Sequence, residues 1–247
     1  MNLFFKPRPA IPDVTHIDID GARVAVSVKV SGRAKSYRLS LPPGRPPLLT
    51  LPANGRWREA EAFLERHRHW LAARISRAPE AAPFADGGTV PLRGVPHRII
   101  ATGQVRGRVQ VVADGDGPTL LVPGDPEHQA RRLTDWLREQ ALADLQGRTG
   151  FHAARLGVTV RMVRLRDQRS RWGSCSSTGT ITYNWRLILA PPFVLDYVAA
   201  HEVAHLVEMN HSPAFWAAVE RTLPEYQKGR AWLKAHGATL MAAGGGS

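Results

Sequence analysis

The sequence predicts an α+β protein in which a helix carrying the motif H-E-x-x-H packs on a small β-sheet, preceded by a β-rich N-terminal part. Three observations support this class. Short stretches of alternating apolar and polar residues recur within residues 1–125, as in half-buried strands. Residues 126–240 carry apolar stripes at helical spacing. The motif itself, at 201–205, lies in an apolar, helix-like stretch.

The N-terminal part, residues 1–125, is predicted to contain short strands and one helix. In residues 23–29, for example, three valines alternate with arginine, alanine, serine and lysine. Apolar residues recur at helical spacing from Trp57 to Ile75, which predicts a helix over 56–77 and a linker at 78–88. Strands are expected at 23–29, 37–41, 48–51, 89–93, 96–101, 108–113 and 119–122.

Residues 126–240 are predicted to form the catalytic domain, with a flexible tail at 241–247. Asp125 is a suitable helix cap and Pro126 a suitable first helical residue, so a helix is expected from there to about 147. The remaining strands are expected at 159–166 and in a hairpin of 169–177 and 180–187, which turns at Thr178–Gly179.

The H-E-x-x-H motif predicts a metal site. His201 and His205 are four residues apart on one helix face, so both imidazoles can reach a single metal ion. Glu202 lies beside them and can accept a proton from metal-bound water. His211 supplies a third nitrogen. Three protein ligands with an open fourth position are typical of catalytic zinc, and the sequence therefore predicts one Zn²⁺ ion.

The residues around the motif indicate where the metal-binding helix begins and ends. The second residue of Pro191–Pro192 suits a first helical turn, and the helix is expected to run to Met209. Asn210 tolerates the left-handed conformation that ends a helix. Ser212 can cap the next helix. Three carboxylates are alternatives to His211 as third ligand: Glu208, Glu220 and Glu225.

Several segments of the chain resemble the YgjP-like metallopeptidase family, which is similar to the SprT-like and WLM peptidases and is placed with them among the zincins. The resemblance is strongest over 150–237. It implies a zincin-like catalytic domain with His201, His205 and His211 as zinc ligands and Glu202 as general base. The segments that carry it are 166–167, 169–176, 184–187, 196–205, 209–213 and 215–216.

These features predict a zinc-dependent hydrolase, first of all a peptidase in which Glu202 assists attack of zinc-bound water on a peptide bond. The first alternative is a nucleotide or phosphoanhydride hydrolase, which the arginine content favours and the lack of a Gly-rich phosphate loop disfavours. The second is a nucleic-acid-associated adaptor whose metal site does not turn over. Glu202 disfavours it, because a purely structural site needs no base.

The hairpin before the metal-binding helix is expected to shape the substrate cleft. Its edge can bind an extended peptide. Tryptophans are predicted to line the cleft and arginines to bind a carboxylate or phosphate, unless the tryptophans are core and the arginines pair with acidic residues. The lone thiol of Cys175 is expected to be a small buried group. The candidate substrate contacts are Arg169, Arg171, Trp172, Tyr183, Trp185 and Arg186, and the candidate oxyanion donors are Arg171, Tyr183 and Tyr197.

Bulk composition narrows the choice of partner and compartment. The net charge of +12, from 33 basic and 21 acidic residues, favours anionic partners such as nucleic acid or nucleotides. A single cysteine permits no internal disulfide, and no apolar run approaches the roughly 20 residues that span a bilayer. A cytoplasmic protein without membrane contact, acting on peptides or proteins, is therefore expected.

Overall fold

The computed structural model describes residues 10–42, 46–76, 84–115, 117–168 and 170–244. Contacts between residues divide the chain into two compact units, Met1–Pro79 and Glu80–Ser247. This division lies within the linker predicted at 78–88, of which 78–83 is outside the described residues. The sequence placed the domain boundary at residue 125 instead.

The described residues of the first unit form a four-stranded sheet and two helices. The sheet order is β1-β2-β4-β3, and its apolar face and the helices enclose one small core. The helix predicted over 56–77 is broken at His67, whose ring nitrogen lies 2.8 Å from the carbonyl oxygen of Phe63. The elements are β1 (Val14–Ile19), which the sequence did not predict, β2 (Ala22–Ser31), β3 (Arg38–Ser40), β4 (Leu48–Pro52), α1 (Trp57–Arg66) and α2 (Arg68–Ile75).

The second unit begins with a sheet of order β5-β6-β8-β7. Its buried residues, such as Ile99 and Leu120, belong to the same core as Leu133 and Leu137 of the helix that follows. Because these strands share a core with that helix, they lie in the second unit rather than in a separate N-terminal one. The strands are β5 (Thr89–Leu92), β6 (Val95–Ala101), β7 (Gln110–Asp114) and β8 (Gly117–Val122).

The described residues in the rest of the second unit form four α-helices, one 3-10 helix and a three-stranded sheet, which confirms the α+β class. The sheet order is β10-β11-β9, with β10 antiparallel and β9 parallel to the central strand. The helix with the H-E-x-x-H motif, α4, contacts β10 and lies against α3 and α6. The elements are α3 (Pro126–Leu156), β9 (Met162–Arg166), β10 (Gly173–Cys175), β11 (Thr180–Asn184), a 3-10 helix (Trp185–Leu189), α4 (Pro192–Ala204), α5 (Pro213–Thr222) and α6 (Tyr226–Ala242).

Several element boundaries differ from those predicted. Helix α3 continues to Gly157, which ends it with φ of 69°. The side chain of Asp125 forms no capping hydrogen bond. Strand β11 stops at Asn184. The side chain of Asn184 accepts a hydrogen bond from Arg186 N and so caps the start of the 3-10 helix. Helix α4 ends at Ala204 rather than Met209, and Asn210 does not have a positive φ.

The end of the chain was predicted to be a flexible tail from residue 241. Met241 and Ala242 instead belong to α6 and are buried, while 245–247 lie outside the described residues. Helix α6 was not predicted because glycines at 229 and 237 weaken its helical signal. No helix within the described residues is long and apolar enough to cross a bilayer.

Candidate metal and catalytic site

Helix α4 carries His201, and His205 is the residue that caps its end. Val194 and Val198 near the start of the helix are buried, as their spacing predicted. The helix ends one residue before His205, and a turn closes there with Leu206 N donating to Val203 O. Because the helix ends so early, the chain has six residues after His205 in which to return.

The returning chain brings His211 to the other two histidines. The potential ligand atoms of the three imidazoles all lie within 4.8 Å of one another. Nε2 of His211 is 3.1 Å from Nε2 of His201. Two nitrogens bound to one tetrahedral zinc ion at about 2.0–2.1 Å would be roughly 3.3 Å apart. Among the residues that the structure describes, this is the one group with metal-ligand spacing.

The three alternative ligands lie outside this group. Glu208 uses Oε1 to accept a hydrogen bond from Asn210 N, at 3.2 Å, and so holds the turn. Glu225 pairs with Lys228 on the surface. Glu220 is exposed on α5. None of these carboxylates is brought to the histidines.

A buried aromatic ring supports the three imidazoles. Ser212 caps α5, as predicted, by accepting a hydrogen bond from Phe215 N through its side chain. The Phe215 ring is fully buried, and its centroid lies 4.9, 4.6 and 4.8 Å from those of His201, His205 and His211. The cap therefore fixes the apolar base on which the histidines rest.

Burial favours the neutral form of two of the imidazoles, which is the form that binds a metal. Burial, together with the neighbouring histidines and Arg230, lowers the pKa of His201 to about 3. Burial also lowers the pKa of His205. The Nδ1 of His205 lies 3.2 Å from the carbonyl oxygen of Glu208, a contact that orients the ring and leaves Nε2 free. The Nδ1 of His201 is buried without a hydrogen-bond partner among the described residues.

Glu202 lies between α4 and the edge strand β10. It is 5% exposed, and burial raises the pKa of its carboxyl to about 8, although the charge of Arg171 opposes this shift. A Cβ atom at Gly173 would come within 2.5 Å of the carboxylate oxygen Oε1. The glycine therefore makes room for the carboxylate, and the low-dielectric setting brings its pKa near neutrality, as suits a general base.

The residues predicted to contact substrate separate into two groups. Tyr183, Trp185 and Arg186 are almost completely buried and belong to the core, so the structure does not bring them to the surface beside the histidines. Arg171 is exposed and Trp172 half-buried, just before the edge strand. Arg169 lies outside the described residues.

The buried residues of the first group have structural partners. The Arg186 guanidinium pairs with Asp167, donates to the carbonyl of Ala243 at 2.7 Å, and lies over the ring of Trp185. The hydroxyl of Tyr183 is 2.9 Å from that of Thr149, and burial raises its pKa. Trp185 and Arg186 therefore match the alternative expectation, in which the tryptophan belongs to the core and the arginine pairs with an acidic residue.

Cys175 lies in the same edge strand as Gly173 and is half-buried. Burial, reinforced by the charge of Glu202, raises the pKa of the thiol to about 11. The thiol is therefore protonated near neutral pH and is a poor nucleophile.

A buried network that the sequence did not indicate joins three helices behind the site. His152 of α3 is completely buried, and its two ring nitrogens lie 2.7 Å from Thr222 Oγ1 and 2.7 Å from Asp196 Oδ1. Arg148 donates to both oxygens of the same carboxylate, at 2.5 and 3.0 Å. These residues are too far apart in sequence for any spacing to reveal the network. Through it, α3 holds both helices that flank the His211 turn.

A cleft of about 500 Å³ opens beside Asp196, between α3 and the start of α4. Phe193 and Leu195 contribute apolar surface, and Arg93 and Arg148 contribute their ion pairs with aspartates. The histidines do not line it. The cleft is therefore separate from the histidine cluster, and the candidate metal site is identified by its side chains rather than by a cavity.

The chain is similar to known proteins over different shares of its length. A crystal structure of the metallopeptidase zymogen of Pyrococcus abyssi abylysin is similar at 26% identity, over 36% of this chain and 93% of that chain, with a TM-score of 0.34. No curated protein sequence matches the chain. Residues 35–236, which are most of the chain, match the family described as YgjP-like, metallopeptidase domain. The chain belongs to the YgjP-like metallopeptidase family and is a metal-dependent peptidase.

Proposed function

We propose that this metallopeptidase holds one Zn²⁺ ion through His201, His205 and His211 and uses Glu202 as its general base. The donor set fits the ion: three imidazoles converge, and three nitrogen ligands suit zinc. When bound, zinc lowers the pKa of a coordinated water towards about 7 and polarises a substrate carbonyl.

The observation that carries the proposal is the position of Glu202. Its carboxylate lies one residue from a histidine of the cluster and directly against the edge strand at Gly173. A carboxylate there can take the proton of an attacking water and give it to the leaving amine. A purely structural metal site would have no use for a buried carboxylate with a raised pKa.

The edge strand β10 offers a surface for the substrate backbone. It lies at the edge of its sheet and pairs with β11, and it also contacts α4. An extended peptide can add to such an edge through main-chain hydrogen bonds, which would place it beside Glu202. The substrate class that follows is an unfolded peptide or an exposed protein segment.

Two of the oxyanion-donor candidates are compatible with this arrangement. Arg171 is exposed, and its charge acts on Glu202. The ring of Tyr197 lies 5.8 Å from that of His201. The hydroxyl of Tyr183 is engaged with Thr149 in the core and is not available.

All of these groups fall within residues 126–240. We propose that this part carries the chemistry, and that residues 1–125 contribute no catalytic group.

The test is cleavage of a diverse peptide mixture by the zinc-loaded protein, read as new peptide ends by mass spectrometry. Glu202→Gln should keep its zinc content and lose cleavage by several orders of magnitude. The exposed Glu220 provides a matched control, and Glu220→Gln should cleave as the wild type does. Turnover retained in Glu202→Gln would refute the assigned base. Phosphate release from a nucleoside triphosphate, without peptide cleavage, would favour the phosphoanhydride alternative.

A further inference from the structure

Arg230 of α6 lies next to the histidine cluster, and no acidic residue in the described part of the chain pairs with it. Its guanidinium carbon is 4.6 Å from the centroid of the Trp216 ring. It is exposed, and it forms no ion pair or hydrogen bond with any residue that the structure describes. Other arginines of this unit, such as Arg93 and Arg148, are paired with aspartates.

One indole ring separates this arginine from the candidate metal ligands. The centroid of Trp216 lies 5.8 Å from that of His201 and 6.0 Å from that of His211. The charge of Arg230 also contributes to the lowered pKa of His201, although burial and the other two histidines have larger effects. Arg230 is therefore at the rim of the site that Glu202 and the histidines form.

The local packing holds Arg230 in place. Gly229, the residue before it, lies so close to α4 that an added Cβ atom would be 2.4 Å from the Cβ atom of Tyr197. Trp216 stacks in turn on Tyr226, with centroids 5.4 Å apart. An arginine whose face stacks on an aromatic ring keeps the N–H groups at its edge free, and these match a carboxylate in bidentate geometry.

We propose that Arg230 is a specificity-determining residue that binds a carboxylate of the peptide substrate. The carboxylate comes from an acidic side chain near the scissile bond or from the free C-terminus of a short peptide. This inference rests on the proposed peptidase function and adds a preference for acidic substrates to it.

The first experiment measures binding without turnover. Zinc-loaded Glu202→Gln protein is titrated with peptide pairs that differ in Glu against Gln at one position, or in a free against an amidated C-terminus. We expect the acidic member to bind about three- to fivefold more tightly, as a solvent-accessible ion pair would give. Whichever pair shows the difference identifies the source of the carboxylate.

The second arm repeats the titrations in three further variants of the same protein. Arg230→Gln should bring the ratio of the two affinities in each pair close to one. Arg230→Glu should bind the acidic member more weakly than the neutral one, and should prefer a peptide with lysine at the same position. Arg155→Gln is the matched control, because Arg155 also stacks on an aromatic ring, that of Phe151, and should keep the preference. A merely structural Arg230 would lower the affinity for both members of a pair equally.

Equal binding of acidic and amide peptides by the Arg230-containing protein would overturn the inference. Cleavage by the otherwise wild-type chain separates this failure from that of the proposed function. If neutral and acidic peptides are cleaved equally, Arg230 is not a specificity residue but the peptidase assignment holds. If acidic peptides bind preferentially and none is cleaved, the Arg230 contact holds and the peptidase chemistry fails.

Discussion

The carboxylate of Glu202 and the backbone of Gly173 are in direct contact, and a single methyl group at position 173 would come within 2.5 Å of Oε1. The edge strand and the candidate base therefore fit together only because residue 173 has no side chain.

Gly173→Ala should move the carboxylate away from its position without removing any metal ligand. Misplacement of a catalytic group by about 1 Å can reduce the rate on the order of 10²-fold. We expect a loss of that size in kcat, with zinc content unchanged, measured on any peptide that the wild type cleaves. Gly150→Ala in α3, where an added Cβ meets open space, is the control and should retain activity. Full activity in Gly173→Ala would show that Glu202 has no fixed position.

Zinc should stabilise the folded chain through the three histidines. A ligand at 100 times its Kd adds about 2.7 kcal/mol to the free energy of unfolding, provided that it does not bind the unfolded chain. We expect a gain of this order on addition of zinc, reversed by a chelator, in urea titrations. His211→Ala should lose most of the gain, whereas His128→Ala, on the exposed side of α3, should keep it. A zinc-dependent gain that persists without His211 would exclude it as a ligand.

Asp196 should make the stability of the protein depend on pH in the acid range. Burial alone would raise the pKa of this carboxyl, but its contacts with His152 and Arg148 outweigh burial and hold the pKa below its usual value. A carboxyl whose pKa is lower in the folded state stabilises the fold at pH values above its pKa in the unfolded chain, which is about 3.9. This stabilisation is lost as the pH falls through the pKa of the folded state.

Asp196→Asn removes this contribution at every pH. At pH 6 the variant should unfold with a free energy lower than that of the wild type by about 1.5–3 kcal/mol, the range for hydrogen bonds to charged groups. The difference should shrink as the pH falls below about 4. A difference that stays constant from pH 6 to pH 3 would show that packing, not charge, accounts for the role of Asp196.

Gly229→Ala should destabilise the second unit. The added Cβ atom would lie 2.4 Å from Cβ of Tyr197 and 3.0 Å from the carbonyl oxygen of Phe193, so α6 must move away from α4. Overpacking of this kind costs about 1–3 kcal/mol. Gly150→Ala should instead stabilise α3 by about 0.4–1 kcal/mol, which makes it the reference in the same denaturation series.

The sequence predicts the chemistry of the site better than its surroundings. The i,i+4 spacing of His201 and His205 is a local geometric signal, and so are the cap at Ser212 and the hairpin turn at Thr178–Gly179; the structure contains the cap and the hairpin. Family membership and the α+β class are confirmed. The assignment of individual residues to zinc and to proton transfer stays a prediction.

Features that depend on tertiary contact could not be predicted. Tryptophan and arginine beside a motif look the same in sequence whether they are buried or exposed, and Trp185 and Arg186 are in the core. Arg230 and Trp216 meet only because the fold brings together residues of α5 and α6, two helices that both contact α4. The division between the two units was also hidden, because the shared core of β5–β8 and α3 has no local sequence signal.

The burial of α4 has a consequence for how the enzyme loses activity. Opening motions that expose a surface loop cost little, whereas those that expose a core helix cost as much as global unfolding. Because His201 and Glu202 belong to a helix packed against α3, α6 and β10, we expect these two residues to have no melting transition of their own. Heat inactivation and loss of tertiary structure should therefore follow one curve, and the amides of α4 should be among the slowest of the second unit to exchange with deuterated solvent.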